Sequence, residues 1–367
     1  MISTPQRACD AHSGGANGRK IIIRRSIFAI VFASTTVLIP GLAGGQSSRP
    51  LPNTGTDEWY AYVDGRIAEN TSLSATPTYF TDPELDDYKP VPSPDGSQIA
   101  FFRAIDYGKG QDITWKSKIC VMNADGSGFR ELTGGDHMDT NPQWTRDGSN
   151  KIIWTRIESS ISVFGVNVPL GMSTYWTDPD ADPGDEERIS KGSWWRYEFV
   201  YSGLQDGRLL IRREGKSGYY LMTPDPNGGA TYESLAYPDR DTLLHKITIS
   251  PSESKIAYMK VANAGWFTNA TGEAYSHAVI AYADFDADNL VIDNEVEVTE
   301  FDEGNTNWYA SWTQDEDKLI FACAGTCPEG QSIGQIFEYD LTSRTTTKIS
   351  GNDDLQYRYP AVKGVVK

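Results

Sequence analysis

The chain is written in short apolar runs, each bounded by Gly, Pro, Asp or Ser. One stretch shows the plan. Ser93-Pro94-Asp95-Gly96-Ser97 is followed by the run Gln98-Ile99-Ala100-Phe101-Phe102. A second run, Lys118-Ile119-Cys120-Val121-Met122, leads to Asn123-Ala124-Asp125-Gly126 and then to Glu131-Leu132-Thr133. Runs of this length between turn residues predict strands, and Asp-Gly supplies the positive φ of a tight hairpin. Four antiparallel strands in about 45 residues make one blade of a β-propeller.

The phrase returns along the chain, as internal repeats do in such architectures. Pro142-Gln143-Trp144-Thr145-Arg146-Asp147-Gly148 precedes Lys151-Ile152-Ile153-Trp154. Leu204-Gln205-Asp206-Gly207 precedes Arg208-Leu209-Leu210-Ile211. Ile249-Ser250-Pro251-Ser252-Glu253 precedes Lys255-Ile256-Ala257-Tyr258, and Trp312-Thr313-Gln314-Asp315-Glu316-Asp317 precedes Lys318-Leu319-Ile320-Phe321. A further copy begins at Tyr357-Arg358-Tyr359-Pro360 and stops after one strand. The phrases Ser-Pro-Asp-Gly…Ile-Ala-Phe and Val-Met-Asn-Ala-Asp-Gly…Leu-Thr resemble the repeat of the TolB-type propeller. The resemblance covers Tyr88 to the C-terminus. It implies an all-β fold, here a six-bladed β-propeller. Strand-like segments at Trp59 to Val63 and Thr76 to Phe80 would complete the last blade, so that strands from both termini close the ring and remove exposed edges. TolB proteins carry a further α/β domain ahead of the propeller. The roughly 40 residues between the cleavage region described below and the first repeat are too few for it, which leaves TolB's partner-binding role in doubt.

The first 45 residues read as a signal peptide. Arg19, Lys20, Arg24 and Arg25 form a basic region, Ile27 to Ile39 an apolar run, and Gly41, Ala43, Gly44 and Gly45 a small-residue cleavage region. Residues 46–56 are then a linker, and 57–367 the propeller. The expected location is periplasmic or secreted, with no stable membrane insertion after cleavage. An uncleaved anchor is the alternative. The formal net charge of −17 argues against a nucleic-acid partner, because phosphate contacts need Lys and Arg. In an oxidising compartment Cys323 and Cys327 would pair, and so short a loop would gain about 2 kcal/mol in the chain-entropy model.

Aligning the copies brings equivalent positions to one channel mouth. These are Tyr88 and Lys89, Asn141, His245 and Lys246, Trp308 and Tyr309, and Arg358 and Tyr359, with Asp87, Asp139 and Thr140 beside them. A ring of cations, imidazole and aromatic groups suits a protein, peptide or glycan ligand. The alternative is that these residues only cap the channel. His245 is the one weak candidate for catalysis, as the base of a polysaccharide lyase or other carbohydrate-active enzyme. The chain has four histidines in all and no Gly-x-Ser-x-Gly elbow. A non-catalytic binding propeller is therefore the first expectation.

Two further segments carry possible chemistry. Asp284, Asp286, Asp288 and Glu295 fall at the oxygen-donor positions of a calcium loop, with Asn289 where such loops have Gly. The alternative is a solvated acidic hairpin. In Trp194-Trp195-Arg196-Tyr197-Glu198-Phe199-Val200-Tyr201 the aromatics at 195, 197, 199 and 201 would share one strand face. Such a face can stack on sugars, but it more often fills the wedge between blades.

Overall fold

The computed structural model describes residues 58–70, 76–106, 116–163, 166–190, 198–213, 218–225, 228–237, 243–261, 267–268, 274–275, 278–299, 305–327, 330–352 and 354–363. The expected signal peptide and linker lie outside the described residues. Those that are described form strands and turns, with no helix among them.

Each repeat becomes a four-stranded antiparallel meander. In the first, Asp86–Pro92 pairs with Gln98–Asp106, which pairs with Lys116–Asn123, which pairs with Arg130–Glu131. The turn after the first strand is fixed by its fourth residue. Gly96, Gly148 and Gly207 have φ of 69°, 84° and 86°, and Glu253 and Glu316 hold the same place with φ of 62° and 58°. The N–H groups of Gly96, Gly207, Glu253 and Glu316 donate to the carbonyls of Ser93, Leu204, Ser250 and Thr313 at 2.9–3.1 Å. The fourth and fifth copies thus keep the turn although they lose its glycine. At the second turn Gly126 is obligatory for space as well as for φ. A Cβ there would stand 2.7 Å from the Phe80 ring.

The meanders join into larger sheets. Hydrogen bonding gives two four-stranded sheets, two eight-stranded sheets and one two-stranded ribbon. Each eight-stranded sheet is a pair of meanders held together by one parallel bridge, Ser117 to Met138 in one and Ala278 to Thr306 in the other. Hydrogen bonding among the described residues thus gives four large sheets and not the six separate blades expected. One four-stranded sheet takes the C-terminal strand Tyr357–Val362 against Trp59–Val63, with Tyr357 opposite Val63.

The core lies between successive meanders. Trp144, Ile152 and Trp154 pack on Ala100, Phe102, Ile119 and Val121 of the meander before. Tyr60 and Ile67 pack on Ile99, Phe101, Cys120 and Met122. Trp59, Val63 and Tyr357 pack on Ile320, Ile336 and Ile349. Both faces of each meander are thus apolar, which explains continuous apolar runs such as Ile99–Phe102 where a half-exposed strand would alternate. Tyr201, with Phe199 against it, belongs to one of these clusters. That part of the aromatic face fills a wedge, while Trp195 and Tyr197 lie outside the described residues. Cys323 and Cys327 are bonded, with Cα atoms 6.0 Å apart. Both sit on the single strand Lys318–Cys327, where the register shifts after Cys323, rather than across a hairpin loop.

Candidate functional site

The first strand of each meander carries a β-bulge. Against the next strand the register slips between Tyr88 and Val91, Thr140 and Gln143, Val200 and Ser202, His245 and Thr248, and Trp308 and Ser311. Tyr359 falls at the same place in the C-terminal strand. In five of these strands the bulged residue is left-handed. Lys89, Asn141, Lys246, Tyr309 and Tyr359 have φ between 50° and 59°. A non-glycine residue in this region costs about 1–2 kcal/mol, and such strain gathers at functional sites.

Four of the left-handed side chains, those of Lys89, Lys246, Tyr309 and Tyr359, line one cavity of about 240 Å³. All six first strands contribute to its wall. It runs from these bulges past Val91, Thr248 and Ala361 to the first turns, where Ser93, Arg146, Pro251 and Gln314 line it. Arg146 crosses that end. Its Nη1 donates to the Ser250 carbonyl at 3.1 Å and its Nη2 to the Pro251 carbonyl at 2.8 Å, with Glu253 3.5 Å away.

The polar contacts in the wall are specific. Lys89 Nζ donates to Asn141 Oδ1, and Asn141 Nδ2 donates to the Val200 carbonyl. Lys246 Nζ lies 5.0 Å from the Tyr309 ring centre, and the Tyr309 and Tyr359 rings are 4.0 Å apart. Burial, and after it the charge of Lys246, holds the Lys89 ammonium well below the usual lysine range. Burial also brings Lys246 down to about 8. The Tyr359 hydroxyl is raised by burial, against a hydrogen bond with Tyr309.

The structure separates the residues that the repeats place together. Lys89, Lys246, Tyr309 and Tyr359 face the cavity, with Asn141 bonded to Lys89. Their neighbours one position earlier do not line it. Tyr88 stacks between Tyr62 and Phe102, at 4.9 and 5.3 Å. Arg358 acts electrostatically on Tyr62 and Tyr359 from outside the cavity wall. The backbone of Trp308 pairs with Ala322, and its side chain lies outside what is described. Asp87 and Asp139 are fully buried against Arg103 and Arg156 and leave the mouth altogether. The reason is the bulge, which turns one residue per strand inward and sends its neighbours into the blade.

His245 is also outside the wall. Burial first, then Arg212 and Lys246, lower its pKa to about 3, which makes it a poor base at neutral pH. His277 lies outside the described residues. The carboxylates of the calcium-like segment are not gathered. Asp284 accepts from Asn294, Asp286 caps the turn at Asp288 and Asn289, Asp288 stands beside Arg208, and Glu295 accepts from Tyr258 and Lys260. Among the described residues no group of three or more His, Cys, Asp or Glu side chains is placed to hold a metal ion. Sequence reasoning passed over Arg146 and Trp312. The signal for the bulges themselves is Pro90, Pro142 and Pro360, each after a left-handed residue, since Pro inside a sheet is confined to edges and bulges.

The fold is an all-β propeller, with one cavity lined by the first strands of its meanders. The propeller is TolB-like. The crystal structure of TolB from Acinetobacter baumannii aligns over 83% of this chain and 66% of its own, with a TM-score of 0.56 at 15% identity. Hydrazine synthase from Kuenenia stuttgartiensis aligns over 85% of this chain and 47% of its own, with a TM-score of 0.57 at 14% identity. Dipeptidyl-peptidase 5 from Porphyromonas endodontalis is 24% identical over 192 residues, 52% of this chain and 23% of the peptidase. The chain thus spans less than two thirds of each of these proteins. No protein-family model matches it. Among the described residues no helix is long and apolar enough to cross a membrane.

Proposed function

We propose that the protein is an exported, non-catalytic propeller of six blades, closed by strands from both ends of the chain, whose axial cavity takes a segment of a partner protein or peptide. The six-blade reading is supported by the six apolar clusters, each between two successive meanders, and by the pairing of Tyr357–Val362 with Trp59–Val63. The binding reading rests on one observation. Equivalent bulges in different strands turn Lys89, Lys246, Tyr309 and Tyr359 into one cavity. Strained backbone repeated around an axis is retained for what the side chains meet there.

A catalytic reading finds less support. The cavity wall holds lysine, arginine, tyrosine, serine and threonine but no His, Cys, Asp or Glu, so the His245 base expected of a lyase is not part of it. The likeness to dipeptidyl-peptidase 5 touches a quarter of that enzyme and does not carry its activity over. A cavity of about 240 Å³ is smaller than the roughly 300–1,000 Å³ of drug-sized pockets, which suits one side chain or chain end. Periplasmic or secreted location follows from the signal-peptide reading, and the mature N-terminus should lie near residues 44 to 46.

The test is selection from a displayed random-peptide library on the full chain. Peptides should be recovered that bind wild type and fail on the variant Tyr309→Ala. Recovery of peptides whose binding is indifferent to Tyr309→Ala and to Lys246→Met would place the site elsewhere.

A further inference from the structure

The cavity wall has a one-sided charge. Lys89 and Lys246 face it from two strands and Arg146 spans one end, while none of the lining residues is Asp or Glu. This is unexpected in a chain of net charge −17. Two acids on the lining strands, Asp87 and Asp139, are each taken by two hydrogen bonds, from Arg103 and Arg156 respectively. Arg146 is held by two carbonyls and Glu253, and Lys89 by the amide oxygen of Asn141.

A second observation points the same way. Trp144 and Trp312 occupy equivalent places, and both line the cavity. Trp144 Nε1 donates to the Val91 carbonyl of the meander before, at 2.9 Å. Trp312 is 4% exposed, and among the described residues its Nε1 has no acceptor. A buried donor left so costs about 1–3 kcal/mol unless something accepts from it. The wall therefore carries ammonium groups, and an indole N–H lies buried within it, all of them donors.

We infer that the axial cavity is a carboxylate receptor, in which Lys89 and Lys246 bind the acidic side chain or the C-terminal carboxylate of the peptide segment. This rests on the binding reading above and adds the chemistry of the ligand. Charge-assisted N–H···O bonds are stronger than neutral ones, so the anion supplies the affinity. Tyr309 and Tyr359 flank the lysines and provide apolar area for the stem that carries the carboxylate. Because burial lowers both lysines, binding should draw a proton into the site. Among the described residues, Asn141, Tyr309, Phe199 and each other face the two lysines, and His245 beside Lys246 feels its charge.

The experiment titrates the full chain calorimetrically with three probes, in two buffers of different ionisation enthalpy. One is N-acetyl-Ala-Ala with a free carboxylate. Another is N-acetyl-Glu-N-methylamide, whose carboxylate is on the side chain. The third is N-acetyl-Ala-Ala amide, which has none. At least one carboxylate probe should bind about tenfold or more tightly than the amide, with proton uptake. The stronger of the two identifies the source as chain end or side chain. Lys89→Met and Lys246→Met should each abolish the preference, and Lys246→Arg should retain most of it. Circular dichroism melts of the variants separate loss of binding from loss of fold. Equal binding of all three probes, lost in Tyr309→Ala, would overturn the carboxylate receptor and leave peptide binding standing. No carboxylate binding at about 10 mM would overturn the receptor, and peptide binding too if the displayed library also yields nothing.

Discussion

Arg156 grips Asp139 with two parallel hydrogen bonds, Nε to Oδ1 at 2.6 Å and Nη2 to Oδ2 at 2.9 Å, between the first two strands of one meander. The same register place holds Asp87 with Arg103 and Glu198 with Arg213. In two other meanders it holds Leu244 with Lys260 and Asn307 with Cys323. Three of the pairs are ionic, with a buried carboxylate two or three residues before a bulge. Each fixes the strand at the point where its neighbour must turn inward.

From this pair comes the first expectation. Arg156→Met leaves Asp139 charged, 1% exposed at its side chain, and bonded only by Trp154 Nε1 at 3.0 Å. Breaking one side of a buried pair costs about 3–5 kcal/mol, and urea unfolding should show a loss of that size. Replacing both partners, with Asp139→Leu added, should recover much of it, since apolar substitutes for a buried pair are often neutral. A loss below about 1 kcal/mol in Arg156→Met, the range of exposed pairs, would mean that water reaches the site.

The second concerns the C-terminal strand. Tyr357–Val362 is hydrogen-bonded to Trp59–Val63, and Tyr357 packs on Trp59 with ring centres 6.0 Å apart. Lys363 adds ion pairs to Glu58 and Glu69 at 2.8 and 2.9 Å. Deleting Tyr357 to Lys367 removes a cavity-lining strand and bares an edge of the sheet. The truncated chain should lose cooperative melting by circular dichroism. A midpoint within a few degrees of the full chain would show that the two ends do not close the ring.

How much of this could be read from the residues depends on range. The turns were legible because Asp95-Gly96 and Asp125-Gly126 act locally through φ, and the buried runs because four apolar residues in a row fit a strand covered on both faces. The repeat gave the positions that converge. It did not give which of each pair faces inward, since a bulge breaks the period of two on which facing is judged. Hence Tyr88, His245 and Arg358 looked equal to Lys89, Lys246 and Tyr359. The ion pairs were hidden for another reason. Asp87 and Arg103 meet across a strand register, and a register is visible only once the bulge is counted.

His245 supplies the third expectation. Its pKa in the folded chain is about 3, against 6.5 for a free imidazole, with burial the main cause and Arg212 and Lys246 adding to it. Between those values the unfolded chain holds a proton that the folded chain does not. Stability from this group is therefore complete above pH 6.5 and is lost as pH falls toward 3. Depressed carboxylates such as Asp95 and Asp147 act in the same direction at lower pH, so the comparison must be with a variant. His245→Asn should lose less stability than wild type between pH 7 and pH 4 in urea titrations. Parallel curves would show that His245 is solvated and titrates normally.

Lys246 carries the last. It holds a left-handed bulge, φ 54°, with its ammonium 5.0 Å from the Tyr309 ring. Burial lowers its pKa to about 8 from 10.5. Below pH 8 the cost of burying the charge is present in full, and stability rises with pH through the window from 8 to 10.5 as the folded chain sheds the proton first. Lys246→Met removes the charge and keeps the stem. It should be at least as stable as wild type at pH 7, with the difference shrinking toward pH 10.5. Lys246→Gly also relieves the left-handed backbone, which is about 1 kcal/mol or more for a side-chain-bearing residue, and this is partly offset by the looser unfolded chain. Its loss of the contact with Tyr309 is about 0.5–1 kcal/mol. Urea unfolding of the three proteins at pH 7 and pH 10 measures these terms, alongside binding of the carboxylate probes. Stability held or gained while binding disappears is the mark of a residue kept for its ligand at the expense of the fold. If both variants instead unfold well before wild type at both pH values, then Lys246 is a structural strut, and the strain at its backbone has no ligand to answer for it.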